Sequence, residues 1–153
     1  MIFDIVAHVA VTPTLQILGA YSAGDVVGGL LTFAIPGANK QGWLTGIRIA
    51  DDDDEKAAGT LYVFNDAPTA IADADAFAAG TLDADLDKLL LVKAVAAGDY
   101  TTLNNNAYVH FRELNQLFKA NDKGNLYAYF VCTATPTYTA ATDLTFILDV
   151  LTQ

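Results

Sequence analysis

Along most of its length the chain repeats with a period of two, and that rhythm points to β structure. From Phe3 to Val11 the odd positions read Phe3, Ile5, Ala7, Val9 and Val11, while Asp4 and His8 fall among the even ones. Successive side chains of a strand point to opposite faces, so such alternation buries one face and wets the other. The same reading predicts strands at Val26–Phe33, Trp43–Ala50, Thr60–Asn65, Leu89–Ala96, Ala107–Arg112, Leu126–Thr133 and Leu144–Leu151. In the last of these, Leu144, Phe146, Leu148 and Val150 share one face, with Thr145 and Asp149 on the other. Gly28-Gly29 interrupts the second run and predicts a bulge or a close backbone approach. Pro36-Gly37 marks a turn.

One connection has a different texture. Thr69–Ala79 is alanine-rich and runs to Gly80, a residue suited to the position just past a helix end. Leu82, Leu86, Leu89 and Leu90 follow at helical spacing. One or two short helical turns are expected in the connection around 69–90. Eight short strands with one such excursion predict an all-β, two-sheet antiparallel sandwich. For this length a jelly roll comes first and an immunoglobulin-like sandwich second, since the Cys-Trp-Cys spacing of the latter is missing. No linker or fixed-period repeat divides the chain, so residues 1–153 are read as one domain.

Charge and cysteine usage narrow the partners. The net charge is −10, and 16 of the 18 acids are aspartate. The eight lysines and arginines are scattered with no two adjacent, so the field repels phosphate and argues against direct nucleic-acid binding. The longest apolar runs fall far short of the roughly 20 residues that a spanning helix needs, so no membrane contact is expected. Met1-Ile2-Phe3-Asp4 has neither a basic segment nor a cleavage site, so no signal peptide is expected. Cys132 is the single cysteine and lies in an apolar strand, as a buried, inert thiol would.

The residues that could carry chemistry read as structural. Asp51, Asp52, Asp53 and Asp54, followed by Glu55, form a run expected to be an exposed loop and offer the one candidate cation site, because hard cations take oxygen ligands. An EF-hand pattern counted from Asp51 would need Gly at Lys56 and Glu at Tyr62, and both fail. Asp83, Asp85 and Asp87 fail the same test and suit the capping of a helix start. His8 and His110 each lie on the polar face of a predicted strand, with no nucleophile beside them: the single serine, Ser22, is in a loop. Paired aspartates of a glycosidase kind are expected to need an aromatic-lined cleft that these small-residue loops do not suggest. No catalytic residue, cofactor or enzymatic activity is expected. Tyr127 and Tyr129 share a strand face and read as core or subunit contact rather than as an exposed stacking platform.

Four stretches, taken together, resemble a known class. They are Ser22-Ala23-Gly24-Asp25-Val26-Val27-Gly28-Gly29, Leu61–Thr69, Leu82–Val92, and Tyr127–Thr139 with Asp143-Leu144-Thr145. The chain is similar, over nearly its whole length, to small virion structural proteins of tailed bacteriophages, often described as head decoration, cement or auxiliary capsid proteins. The resemblance implies a protein on the outer surface of the phage head, assembled in the host cytoplasm. Its partners would be the major capsid protein and further copies of itself, as a homotrimer, and it would stabilise contacts between capsid subunits. It carries no defined functional residues across. The N-terminal strand with its flanking loops is the expected capsid-facing end, and the Asp51–Lys56 loop is expected to be dispensable for docking. The same resemblance covers a tail, baseplate or head-fibre component, and a jelly roll equally serves an adhesin-type carbohydrate-binding protein.

Overall fold

The alternation becomes two packed antiparallel sheets in a computed structural model, which describes residues 5–78, 80 and 82–152. Ten strands are present: β1 Ile5–Val11, β2 Leu31–Ala34, β3 Gln41–Asp51, β4 Gly59–Phe64, β5 Leu89–Val95, β6 Thr101–Leu103, β7 Asn106–Phe111, β8 Gln116–Lys119, β9 Asn125–Cys132 and β10 Leu144–Thr152. The larger sheet runs β1-β10-β3-β7-β6, with β8 on the first half of β3; the smaller runs β2-β9-β4-β5. The pairings nest: β1 with β10, β2 with β9, β3 with β7 and β8, β4 with β5. The chain is thus one long antiparallel hairpin rolled into two sheets, which is the jelly-roll connection. Its eight principal strands are the eight expected from the alternation. The predicted Phe3–Val11 strand is β1 from Ile5 onward, and Phe3 and Asp4 lie outside the described residues.

The core lies between the sheets. Ile47 and Ile49 of β3, Leu144, Phe146 and Leu148 of β10, Leu61 and Val63 of β4, and Phe130 of β9 all point inward and are buried. Phe130 and Phe146 meet across the interface with ring centroids 5.6 Å apart. Each buried aromatic contributes about 1.5–3 kcal/mol of hydrophobic stabilisation. Strand β9 is buried on both faces, which explains why its sequence is apolar throughout rather than alternating.

The cover on the second face of β9 corrects one expectation. Thr69–Ala78 is not a helix. Val26 and Asp75 bond backbone to backbone (2.9 Å), as do Ala74 and Val26 (2.8 Å) and Phe77 and Gly24 (2.8 Å). The N–H groups of Ala74 and Phe77 therefore go to a neighbouring chain segment, the Asp75 carbonyl accepts from that same segment, and Ala74 takes a φ of 62°, outside the helical range. Ile71 and Phe77 pack on Val26, Phe64, Tyr127 and Tyr129 as a second apolar cluster. Gly80 therefore ends no helix. One helical turn does occur in the 69–90 connection, a 3₁₀ turn at Leu86–Lys88, and a second lies beyond it at Ala97–Asp99.

Two further differences concern strands. Val26–Phe33 is a strand only from Leu31; Val26 makes an isolated bridge to Val131, and Gly28 (φ 82°) and Gly29 (φ 66°) break the run between. A side chain at Gly28 would come within 2.5 Å of Pro13, so the close approach expected there is real. Strands β6 and β8 carry too short an alternation to be predicted.

Candidate functional site

The candidate cation loop is built differently from its expected form. Inward parity on β3 continues Ile47, Ile49, Asp51, so Asp51 is the last strand residue and is fully buried. Its burial is tolerated because Oδ1 accepts the N–H of Asp53 (3.1 Å) and Oδ2 that of Lys56 (2.7 Å). Burial pushes its carboxyl above the ordinary value, against these donors. Asp52 is exposed, and Asp53 and Asp54 are half-buried. Asp53 accepts the N–H of Thr139 (2.9 Å) and its hydroxyl, Glu55 accepts the N–H of Thr137 (2.9 Å), and Asp54 pairs with Lys56 at 3.3 Å. The run is a clasp that fastens the β3–β4 connection to the β9–β10 connection. Among the described residues, no three His, Cys, Asp or Glu side chains are arranged to hold a metal ion.

The second acidic motif also acts on its surroundings. Asp85 sits at the cap position of the 3₁₀ turn, but its side chain makes no cap bond. It is buried, accepts the N–H of Thr69 at 2.8 Å and pairs with Lys88 at 2.8 Å. It therefore closes the 69–85 connection instead of capping a helix. Tyr127 and Tyr129 are buried, as core residues; the Tyr129 hydroxyl accepts the N–H of Ile71 and donates to the carbonyl of Thr69. Cys132 is buried, and burial raises its thiol above the ordinary value.

The outer face of the larger sheet is where separate sequence elements converge. Even positions of β1, odd positions of β10 and the matching residues of β3 and β7 all face outward, so antiparallel register lines them up in rows. In the middle, Asp149 on β10 is only 7% exposed and gathers three partners. Arg48 on β3 donates to its Oδ1 from Nη2 (2.5 Å) and Nε (3.1 Å), His8 on β1 places Nδ1 at 2.6 Å from the same oxygen, and His110 on β7 places Nε2 at 3.0 Å from Oδ2. Arg112 Nε donates to His110 Nδ1 at 3.1 Å, which fixes the ring proton of His110 on Nε2, toward Asp149. Burial alone would raise the Asp149 carboxyl, but hydrogen bonds from Arg48 and His8 and their charges outweigh it and hold the group below the ordinary carboxylate range. A carboxylate so saturated with donors is a poor proton acceptor; what it does is lock four strands together. Gly46 leaves the room: a side chain there would meet Asp149 Oδ2 at 2.9 Å.

At one end of the same face lies an apolar row that the sequence reading did not assemble. Val6 is register partner to Leu151, Leu151 to Trp43, and Trp43 to Leu117, across β1, β10, β3 and β8. Val6 is 72% exposed, Leu117 58% and Trp43 45%. Single exposed apolar residues are ordinary, but three of them in register, joined through the half-buried Leu151, form a patch. Beside it opens a groove of about 480 Å³ lined by Trp43, Leu117, Leu151, Leu90 and Gly42. The row was invisible because β8 is too short to be recognised and Trp43 was read only as a strand start. Sequence comparison matches the chain to no protein-family model and to no curated protein.

Proposed function

We propose that this chain is a virion structural protein of a tailed bacteriophage, a decoration protein that binds the outer surface of the head and bridges major capsid subunits. The observation that carries the reading is the exposed row Val6–Leu151–Trp43–Leu117, an apolar and acid-free strip on a chain of net charge −10. A jelly roll resembling small phage head proteins, with such a strip on one face, suits a rigid piece that works by covering a partner's surface. Docking would bury Trp43 and Leu117 as anchors, with the Asp149 lock keeping the face in its bound shape and so reducing the ordering cost of association. The apolar contact surface would then be the β1-β10-β3-β8 face, of which the N-terminal strand is one margin.

The test is cosedimentation with heads assembled from the major capsid protein of the same genome and lacking this chain. The native protein binds saturably, and Trp43→Ala with Leu117→Ala weakens binding at least tenfold. Failure of the native protein to bind would sink the reading. The second reading, carbohydrate binding, is favoured by one observation, the half-exposed Trp43 indole at the mouth of the groove. Quenching of Trp43 fluorescence by host surface glycans, with no binding to heads, would establish it instead.

A further inference from the structure

The geometry points to a second copy of this chain as the partner of strand β1, joined edge to edge across a twofold axis so that the two six-stranded sheets become one continuous sheet. This contact uses the free backbone edge of β1 and meets the docking face just described only at Val6, so it is tested apart from that reading through Trp43 and Leu117, which lie away from the edge.

A sheet edge presents unpaired N–H and C=O groups, and proteins blunt edges by keeping them short, charged, bulged or covered. Four of the five edge strands among the described residues are blunted. Strands β2 and β8 have four residues each, β8 ending in Lys119, and β6 has three. Strand β5 carries Lys93, and its pairing with β4 is bulged at Val63/Phe64. Strand β1 has none of these devices. It is seven residues long, Ile-Val-Ala-His-Val-Ala-Val, with no proline, no lysine and no acid, and its pairing with β10 is regular from end to end. None of its residues is buried. Among the described residues, its backbone bonds only to β10.

The occupant follows from charge and symmetry. Two copies of a chain at −10 repel over most of their surface, and β1 is a long edge where they meet with no acid opposite an acid. An antiparallel pair is symmetric about its centre, so a strand can pair with itself in an isologous contact. The register that pairs all seven residues places His8 opposite His8 of the second copy, Ala7 opposite Val9, Val6 opposite Ala10 and Ile5 opposite Val11. That register preserves side-chain parity: Ala7, Val9 and Val11, which pack on the core, continue the inner apolar layer across the axis, while Val6, His8 and Ala10 continue the outer face. Such a contact makes a dimer, in place of the trimer that the resemblance implies.

The experiment is the solution mass of the native chain by size-exclusion chromatography with light scattering, followed by cross-linking of His8→Cys. The native protein is expected at twice the 16.2 kDa chain mass. His8→Cys, whose thiols would face each other at the axis, is expected to form a disulfide-linked dimer under mild oxidation, while native Cys132, being buried, gives none. Val6→Lys with Ala10→Lys, both on exposed positions, is expected to give a folded monomer by circular dichroism and light scattering. Trp43→Ala with Leu117→Ala is expected to leave the dimer intact. A native monomer or trimer, or a dimer in which His8→Cys does not cross-link, would overturn the pairing.

Discussion

Arg48 places both Nε and Nη2 on one oxygen of Asp149, 101 residues away in sequence, and holds β3 to β10 beside the irregularity at Asp149/Val150. Removing the carboxylate leaves Arg48 and two histidines without their acceptor. Asp149→Ala is expected to cost about 3–5 kcal/mol, the range for breaking a buried pair from one side. Urea unfolding of the two proteins measures it. A loss below about 1 kcal/mol would show that the lock is solvated and of little weight.

Two buried carboxylates should respond to acid with opposite signs. The Asp149 carboxyl is held low, so its stabilisation is present above the ordinary carboxylate pKa of about 3.9 and is lost as pH falls through the folded value. The Asp51 carboxyl is raised by burial, so its contribution is present below that ordinary value and is lost as pH rises through the folded one. The stability gap between native protein and Asp149→Asn should therefore close as pH falls below about 4. The gap for Asp51→Asn should widen over the same acid range. Melting temperatures measured from pH 3 to 7 distinguish the two slopes.

Asp73 ties two loops together. It accepts the N–H of Gln16 (2.7 Å), the N–H of Gly28 (2.6 Å) and the Tyr21 hydroxyl (2.7 Å). Burial, first, and then the bond and charge of Asp73 raise the Tyr21 hydroxyl above its ordinary value. Asp73→Ala orphans the Gly28 N–H and the Tyr21 hydroxyl, while the Gln16 N–H keeps the Tyr21 oxygen at 3.1 Å, and should cost about 2–4 kcal/mol, at about 1–3 kcal/mol for each donor left dry and less where water reaches it. Hydrogen exchange should quicken at Gln16 and Gly28 while β9 stays protected.

Deleting Asp51–Lys56 tests the clasp. The sequence presents this run as an exposed acidic loop, but Asp53 and Glu55 fasten the connection before β10 while Asp51 braces the loop from within. The deletion is expected to lower the melting temperature by several degrees, which for a chain of this size corresponds to about 2 kcal/mol. An unchanged melting temperature would show that the clasp carries no stability.

Core packing gives the plainest number. Phe146 is 1% exposed and packs on Phe130 across the two sheets, so Phe146→Ala should cost about 3–5 kcal/mol by transfer and cavity terms together. Chemical denaturation with an unchanged m-value would attribute the loss to the native core.

The jelly roll was legible because seven of its eight principal strands carry six or more residues of apolar run or alternation, and the four-residue β2 buries both Leu31 and Phe33. Strands β6 and β8 were not: Thr101–Leu103 buries nothing, and Gln116–Lys119 buries only Phe118. The extra alanine-rich helix was a reasonable expectation from composition, overridden when its backbone found Gly24 and Val26. Parity along Ile47, Ile49 and Asp51 did hold the signal that Asp51 is buried, but five consecutive acids masked it. The outward parity of Asp149 and His8 was readable, whereas their meeting with Arg48 and His110 was not, because register between distant strands is set by the whole sheet rather than by any one segment.

The nested pairing also sets a timetable. Strand β10 is made after the other nine strands, yet it lies between β1 and β3 in the larger sheet. Until residues 144–152 emerge, β1 has no neighbour and the inner faces of both flanking strands stay wet. Contacts of such sequence separation close slowly, since the loop entropy must be met before the burial rewards it. Folding is therefore expected to be slow for the chain's size, with β1 and the far side of β3 waiting, exposed and apolar, as the stretch of nascent chain most in need of shielding.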